Sequence, residues 1–112
     1  MADERRLGPE QRKSSRFRYA GVIFLAWVEA AEENFVMGRC LDISLTGLGV
    51  EIVKRIPVGT QVRVRAEWIS LDGSATVRHV TPRSGVFHLG LELKQAIRAE
   101  TLAELLESNP ET

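Results

Sequence analysis

Val62, Val64, Ala66 and Trp68 alternate with Arg63, Arg65 and Glu67. A period of two is what a strand with one buried face requires, and no helix tolerates it. Short runs of the same kind recur, each closed by a turn signal after roughly eight to twelve residues. Tyr19–Glu29, Phe35–Ser44 and Leu48–Val53 come before it, and Ser74–Val80 and Val86–Leu93 after it. Between them lie Ala31–Asn34, Thr46-Gly47, Ile56-Pro57-Val58-Gly59, Leu71-Asp72-Gly73 and Pro82–Gly85. Gly, Pro and the Asp-Gly pair are what such separators are made of. Only beyond Leu93 does the period lengthen. Ile97, Ala99, Leu102, Leu105 and Leu106 then give an amphipathic helix over Ala96–Glu107, ended by Pro110. The expected fold is mainly β: a small six-stranded antiparallel β-barrel with a C-terminal α-helix.

The first run is apolar on both faces. Val22, Phe24, Ala26 and Val28 point one way; Ile23, Leu25 and Trp27 point the other. In a barrel one of these faces is interior. The expectation is that Ile23, Leu25 and Trp27 form the second face, covered by the terminal helix or by a second copy in a homodimer. In the last run Phe87, Leu89, Leu91 and Leu93 are expected inside, with His88, Gly90 and Glu92 outside.

A chain of 112 residues, 44% hydrophobic and 27% charged, supports one domain with one modest core. Its formal net charge of zero gives no global attraction to a polyanion or a membrane. The charge is nevertheless segregated. Residues 1–18 carry Arg5, Arg6, Arg12, Lys13, Arg16 and Arg18 against Asp3, Glu4 and Glu10, a local balance of +3 (six minus three). Few apolar residues accompany them, so this stretch reads as a flexible basic N-terminal arm. The expected division is an arm over 1–18, a barrel over 19–95 and a helix over 96–109. Met1–Glu10 lacks the apolar segment of a secretory leader, and Ala20–Val28 is too short to span a bilayer. The single cysteine, Cys40, fits a cytoplasmic home and allows neither an internal disulfide nor a multi-cysteine metal site.

Polar chemistry concentrates at Asp42-Ile43-Ser44-Leu45-Thr46-Gly47. Alternation is expected to put the Asp42 carboxylate and the Ser44 hydroxyl on one side of the pleat. Gly47 is expected at the reversal, where positive φ is cheapest in glycine. Enzymatic arrangements find little support. His79 and His88 sit in strand-like runs without metal-ligand spacing, and no glycine-rich phosphate loop precedes a helix. Ser44 has no histidine close in sequence to act as its base. The expectation is therefore a protein that is not an enzyme, with no cofactor and no metal. Arg12-x-x-x-Arg16 in the arm sets two guanidinium forks close enough to converge on one ligand. Such forks match a phosphate, or the O6/N7 edge of guanine, bidentately.

Arg12-x-x-x-Arg16 followed by Asp42-x-Ser44-x-x-Gly47 resembles the paired signature of the PilZ domain family. The likeness runs from about Glu10 to Leu93. It takes in Leu48-Gly49-Val50, Pro57-Val58-Gly59 and Leu89-Gly90-Leu91-Glu92-Leu93. PilZ domains are bacterial receptors for the second messenger cyclic di-GMP, and the resemblance implies that role. By position, Arg12 and Arg16 would hold guanine edges and phosphates. Asp42 and Ser44 would contact a guanine, and Gly47 would let its backbone approach. His88 stands where the family often places a base-contacting side chain. Many members carry a basic residue just before the first motif arginine, whereas this chain has Gln11, which leaves open whether one or two ligand molecules bind.

The resemblance further implies a cytoplasmic effector that orders its arm on the ligand and signals to a protein partner in motility, exopolysaccharide or pilus machinery. One alternative is a PilZ-like adaptor that binds a protein without nucleotide. Another is a small-barrel nucleic-acid binder, disfavoured because Phe24, Trp27, Phe35, Trp68 and Phe87 sit mostly at expected core positions.

Overall fold

The computed structural model describes residues 17–108, and side-chain surroundings for 21–104. The strands are β1 (Phe17–Glu29), β2 (Glu32–Ile43), β3 (Gly47–Ile52), β4 (Gln61–Ala66), β5 (Leu71–Arg83) and β6 (Val86–Leu93), followed by a helix, α1 (Ala99–Ser108). They close a barrel in the order β1-β2-β3-β6-β5-β4. Every neighbouring pair is antiparallel. Closure leaves no free sheet edge along the paired segments. The expected mainly β architecture with a C-terminal helix is what the chain adopts.

The interior is filled by alternate residues of all six strands, with Ile23, Leu25, Val50, Val64, Val77 and Leu89 among the most deeply buried. Beyond β6 the backbone returns to the β2–β3 turn. The Leu93 amide donates to the Thr46 carbonyl (2.9 Å), and the Ile97 amide to that of Leu45 (2.7 Å). Ile97 and Leu102 are buried in the same core. Helix α1 thus covers one end of the barrel, next to a 3-10 turn at Glu67–Ile69.

Several expectations are corrected. Ile23, Leu25 and Trp27 are the interior face of β1, so no second subunit is needed to cover them. The other face lies outside: Val22, Phe24 (49% exposed) and Val28 stand beside Phe35 (65%) and Met37 (61%) of β2. Phe24 and Phe35 are therefore surface aromatics, and the argument that placed them in the core fails. The barrel cavity accepts only one face of β1, and the bulkier Trp27 side is the one it holds.

The turn between β4 and β5 also moves. Asp72 and Gly73 lie inside β5, paired with Arg65 and Val64. The reversal is made by Glu67–Ile69 with Ser70 in the left-handed region (φ 52°, ψ 38°). This turn shifts the phase, so Ile69 enters the core and Trp68 is left partly buried against its outside. The Trp68 Nε1–H donates to the Val22 carbonyl (2.5 Å), and its ring covers Gly21. A Cβ at position 21 would lie 2.5 Å from Trp68 Cε2. The tight β1–β2 reversal is Ala30–Ala31, with φ of 55° and 66°, rather than Ala31–Asn34. That between β5 and β6 is Ser84–Gly85, so Pro82 and Arg83 remain in strand.

Candidate functional site

The site is built on a register line that crosses five strands on the outside of the barrel. Arg18 of β1 pairs with Asp42 of β2, and Asp42 with Gly49 of β3. Gly49 pairs with Gly90 of β6, and Gly90 with His79 of β5. Irregularities interrupt the ladder beside this line, between Arg18 and Gly21, between Cys40 and Asp42, and between Val77 and His79. A bulge re-aims the side chain next to it. Here the Asp42 and His79 bulges both bring their side chains over the glycine of the adjacent strand.

The Asp42 carboxylate is half-buried over Gly49. A Cβ built at Gly49 would lie 2.7 Å from Oδ1 and 3.0 Å from Oδ2. The His79 ring occupies the corresponding position over Gly90. Two neighbouring strands thus present bare backbone, with a carboxylate on one flank and an imidazole on the other. Such a floor suits close approach of a flat, polar molecule, and glycine inside a strand marks that use. Below it the Cys40 thiol donates to the Asp42 carbonyl (3.3 Å), fixing the bulge from inside.

Ser44 lies past the end of β2 and is 1% exposed. Its amide donates to the Gly47 carbonyl (2.9 Å), and its Oγ accepts from the Gly47 amide (3.1 Å). The hydroxyl closes the β2–β3 turn, which sets the height of Asp42 relative to β3. Gly47 opens β3 without positive φ; among the described residues that region is taken by Ala30, Ala31, Gly59, Ser70, Ser84 and Gly85. His88 is half-buried two register lines away, on the next outward-facing row, between Glu51 and Thr81. Glu51 accepts from Arg39 (2.5 Å). On the opposite side of the glycine line, Arg78 pairs with Glu92. Arg12 and Arg16 lie outside the described residues.

The Asp42 carboxylate faces the bare backbone of Gly49 rather than of Gly47, and the Ser44 hydroxyl, expected on the same side of the pleat, is instead buried in the turn because it accepts from the Gly47 amide. Gly49, Gly90 and His79 were not singled out from the residues themselves. Their signal was present: glycines in the middle of two strands that register with one another. Among the described residues no group of three or more His, Cys, Asp or Glu side chains could hold a metal ion. No helix there is long and apolar enough to cross a membrane.

Comparison with known proteins agrees with the fold. No curated protein matches the chain in sequence. A solved structure described as the PilZ domain with c-di-GMP of YcgR from Escherichia coli superposes with a TM-score of 0.57 at 15% identity. The match covers 91% of this chain and 99% of that one, and it shows a shared fold. The profile of the PilZ domain matches residues 10–108, spanning the barrel, the helix and the stretch that carries Arg12 and Arg16. With nearly its whole length matched, the chain belongs to the PilZ domain family.

Proposed function

We propose that the chain is a cyclic di-GMP receptor whose ligand lies on the outer face of the barrel, across the Gly49–Gly90 floor. The observation that carries this is the Asp42 carboxylate held over bare backbone, in register with the strand into which the arginine motif leads. A carboxylate accepts from the N1–H and N2–H₂ edge of guanine, which few other bases offer. Arg18 registers with Asp42, and Arg16 precedes it by two residues. Covalent geometry keeps their Cα atoms within about 7 Å. An arginine side chain spans that distance, so Arg16 can meet a phosphate or a guanine placed against Asp42. Arg12 is the second fork. Gly47 and Ser44 support the same corner, Ser44 by holding the turn. His88, two lines over, is within reach of a second base.

The arm then orders on the dianionic ligand, and the changed surface is what a protein partner reads. The exposed apolar face of β1 and β2 is the natural landing place for such a partner, or for a second copy of the chain. That face is also the one observation favouring an adaptor role, and it is compatible with a receptor that adapts only when loaded. A cytoplasmic setting fits the single, buried Cys40.

Titration calorimetry with cyclic di-GMP, using GTP and cyclic di-AMP as controls, tests the proposal. Binding selective for cyclic di-GMP is expected. Arg16→Ala should weaken it by at least about tenfold, the lower range for a lost bidentate base contact. Its thermal midpoint should match the parent's. An absence of heat with the parent protein ends the proposal.

A further inference from the structure

The His79 ring lies face-down on the barrel. From the position a Cβ at Gly90 would take, Nε2 is the nearest ring atom, and Cε1 (2.5 Å) and Cδ2 (2.6 Å) are almost as close. A nitrogen pointing edge-on would leave both carbons much farther away. The ring therefore covers the Gly90 backbone with one face, and Gly90 is buried beneath it. The other face is open, since His79 itself is exposed. Among the described residues no hydrogen bond or ion pair ties down either ring nitrogen. An aromatic ring set flat on a glycine of β6, solvent on its upper side, with a carboxylate over the paired glycine of β3, is a stacking platform.

We infer that His79 is the stacking surface for one guanine of the ligand, a specificity-determining contact outside the arginine and Asp42-Ser44-Gly47 motifs. The inference rests on the cyclic di-GMP reading and adds a residue to that site. Neighbouring strands are about 4.8 Å apart. A purine laid on His79 reaches roughly one such spacing toward β3, so its edge arrives at Asp42. Stacking holds the base plane while the carboxylate reads its edge. Either alone tolerates several bases; together they select a planar ligand with donors on the facing side. Gly90 is required because any side chain there would lift the ring.

The test uses three variants of the full chain, titrated with cyclic di-GMP alongside parent and Arg16→Ala. His79→Ala should weaken binding about tenfold, as loss of one base-aromatic stack does. His79→Phe keeps a ring of similar placement without nitrogens, and should bind within about threefold of the parent. Gly90→Ala leaves the imidazole present but displaced, and should weaken binding as His79→Ala does. In the parent, the His79 ring resonances should move upfield when ligand is added. His79 is at the surface, so all three variants should keep the parent's thermal midpoint. His79→Ala binding as tightly as parent, while Arg16→Ala does not, overturns this inference and leaves the receptor reading intact. A parent that binds no cyclic di-GMP removes both.

Discussion

Two crowded glycines separate packing from recognition at the level of single residues. Gly38 points into the barrel, where a Cβ would lie 2.5 Å from both the Glu51 carbonyl oxygen and Ile52 Cγ2. The carbonyl cannot move without shifting β3, so Gly38→Ala should destabilise by about 1–3 kcal/mol. Urea denaturation would show it as a lower midpoint at unchanged slope. Gly90 is as crowded, but by the far end of one exposed side chain, so the alanine there costs recognition and not stability. Ser44 gives a third outcome. Ser44→Ala leaves the buried Gly47 amide without its partner, and about 1–3 kcal/mol should be lost. Each kcal/mol corresponds to roughly 4–8 °C for a domain of this size. A motif serine that lowers both stability and binding behaves as a turn staple; one that lowers binding alone touches ligand. The exposed Arg63–Asp72 pair (2.9 Å) holds the Asp72 carboxyl below its ordinary value, chiefly through the hydrogen bond from Arg63. What stability that pair lends is present above the ordinary carboxylate range and fades as pH falls through the lowered value. Asp72→Asn should flatten only this acid limb, read from thermal midpoints between neutral pH and pH 3.

Among the elements, the turns carry the local strain. Ala30 and Ala31 both sit at positive φ in a two-residue hairpin loop, a geometry that favours Asn-Gly. Replacing them as Ala30→Asn with Ala31→Gly should stabilise by about 1–2 kcal/mol in total, since each left-handed alanine costs on the order of 1 kcal/mol. Calorimetric unfolding would register the gain as a higher midpoint.

The same turns show what could be read in advance. Strand existence was legible because Val62, Val64 and Ala66 alternate without a break, and Val86–Leu93 was placed to the residue. Turn placement was less so. Asp72-Gly73 looks like a hairpin signal, but burial of Ile69 and the Trp68 contact to Val22 decide the reversal, and both are long-range. The inside of β1 was ambiguous because both of its faces are apolar, and only the volume left by five other strands resolves it. Asp42 and its turn were legible because their motif is local in sequence. His79 was not, since its partner Gly90 comes from a different strand and the pairing is a matter of register.

At the scale of the molecule, the exposed Phe24, Phe35 and Met37 form an apolar surface flanked by Arg63, Arg65 and Asp72 around a shallow groove of about 520 Å³. Phe35→Glu should leave cyclic di-GMP affinity and thermal midpoint unchanged, while abolishing any self-association that light scattering detects at high protein concentration. The deeply filled interior has a different consequence. A barrel whose interior is filled with apolar side chains has nowhere to admit a polar messenger, so news can be written only on its skin. The scaffold is then a fixed drum, and its outer rows are exchangeable lettering. Altering a few outward positions would redirect what the domain hears or whom it tells, without the barrel having to be rebuilt.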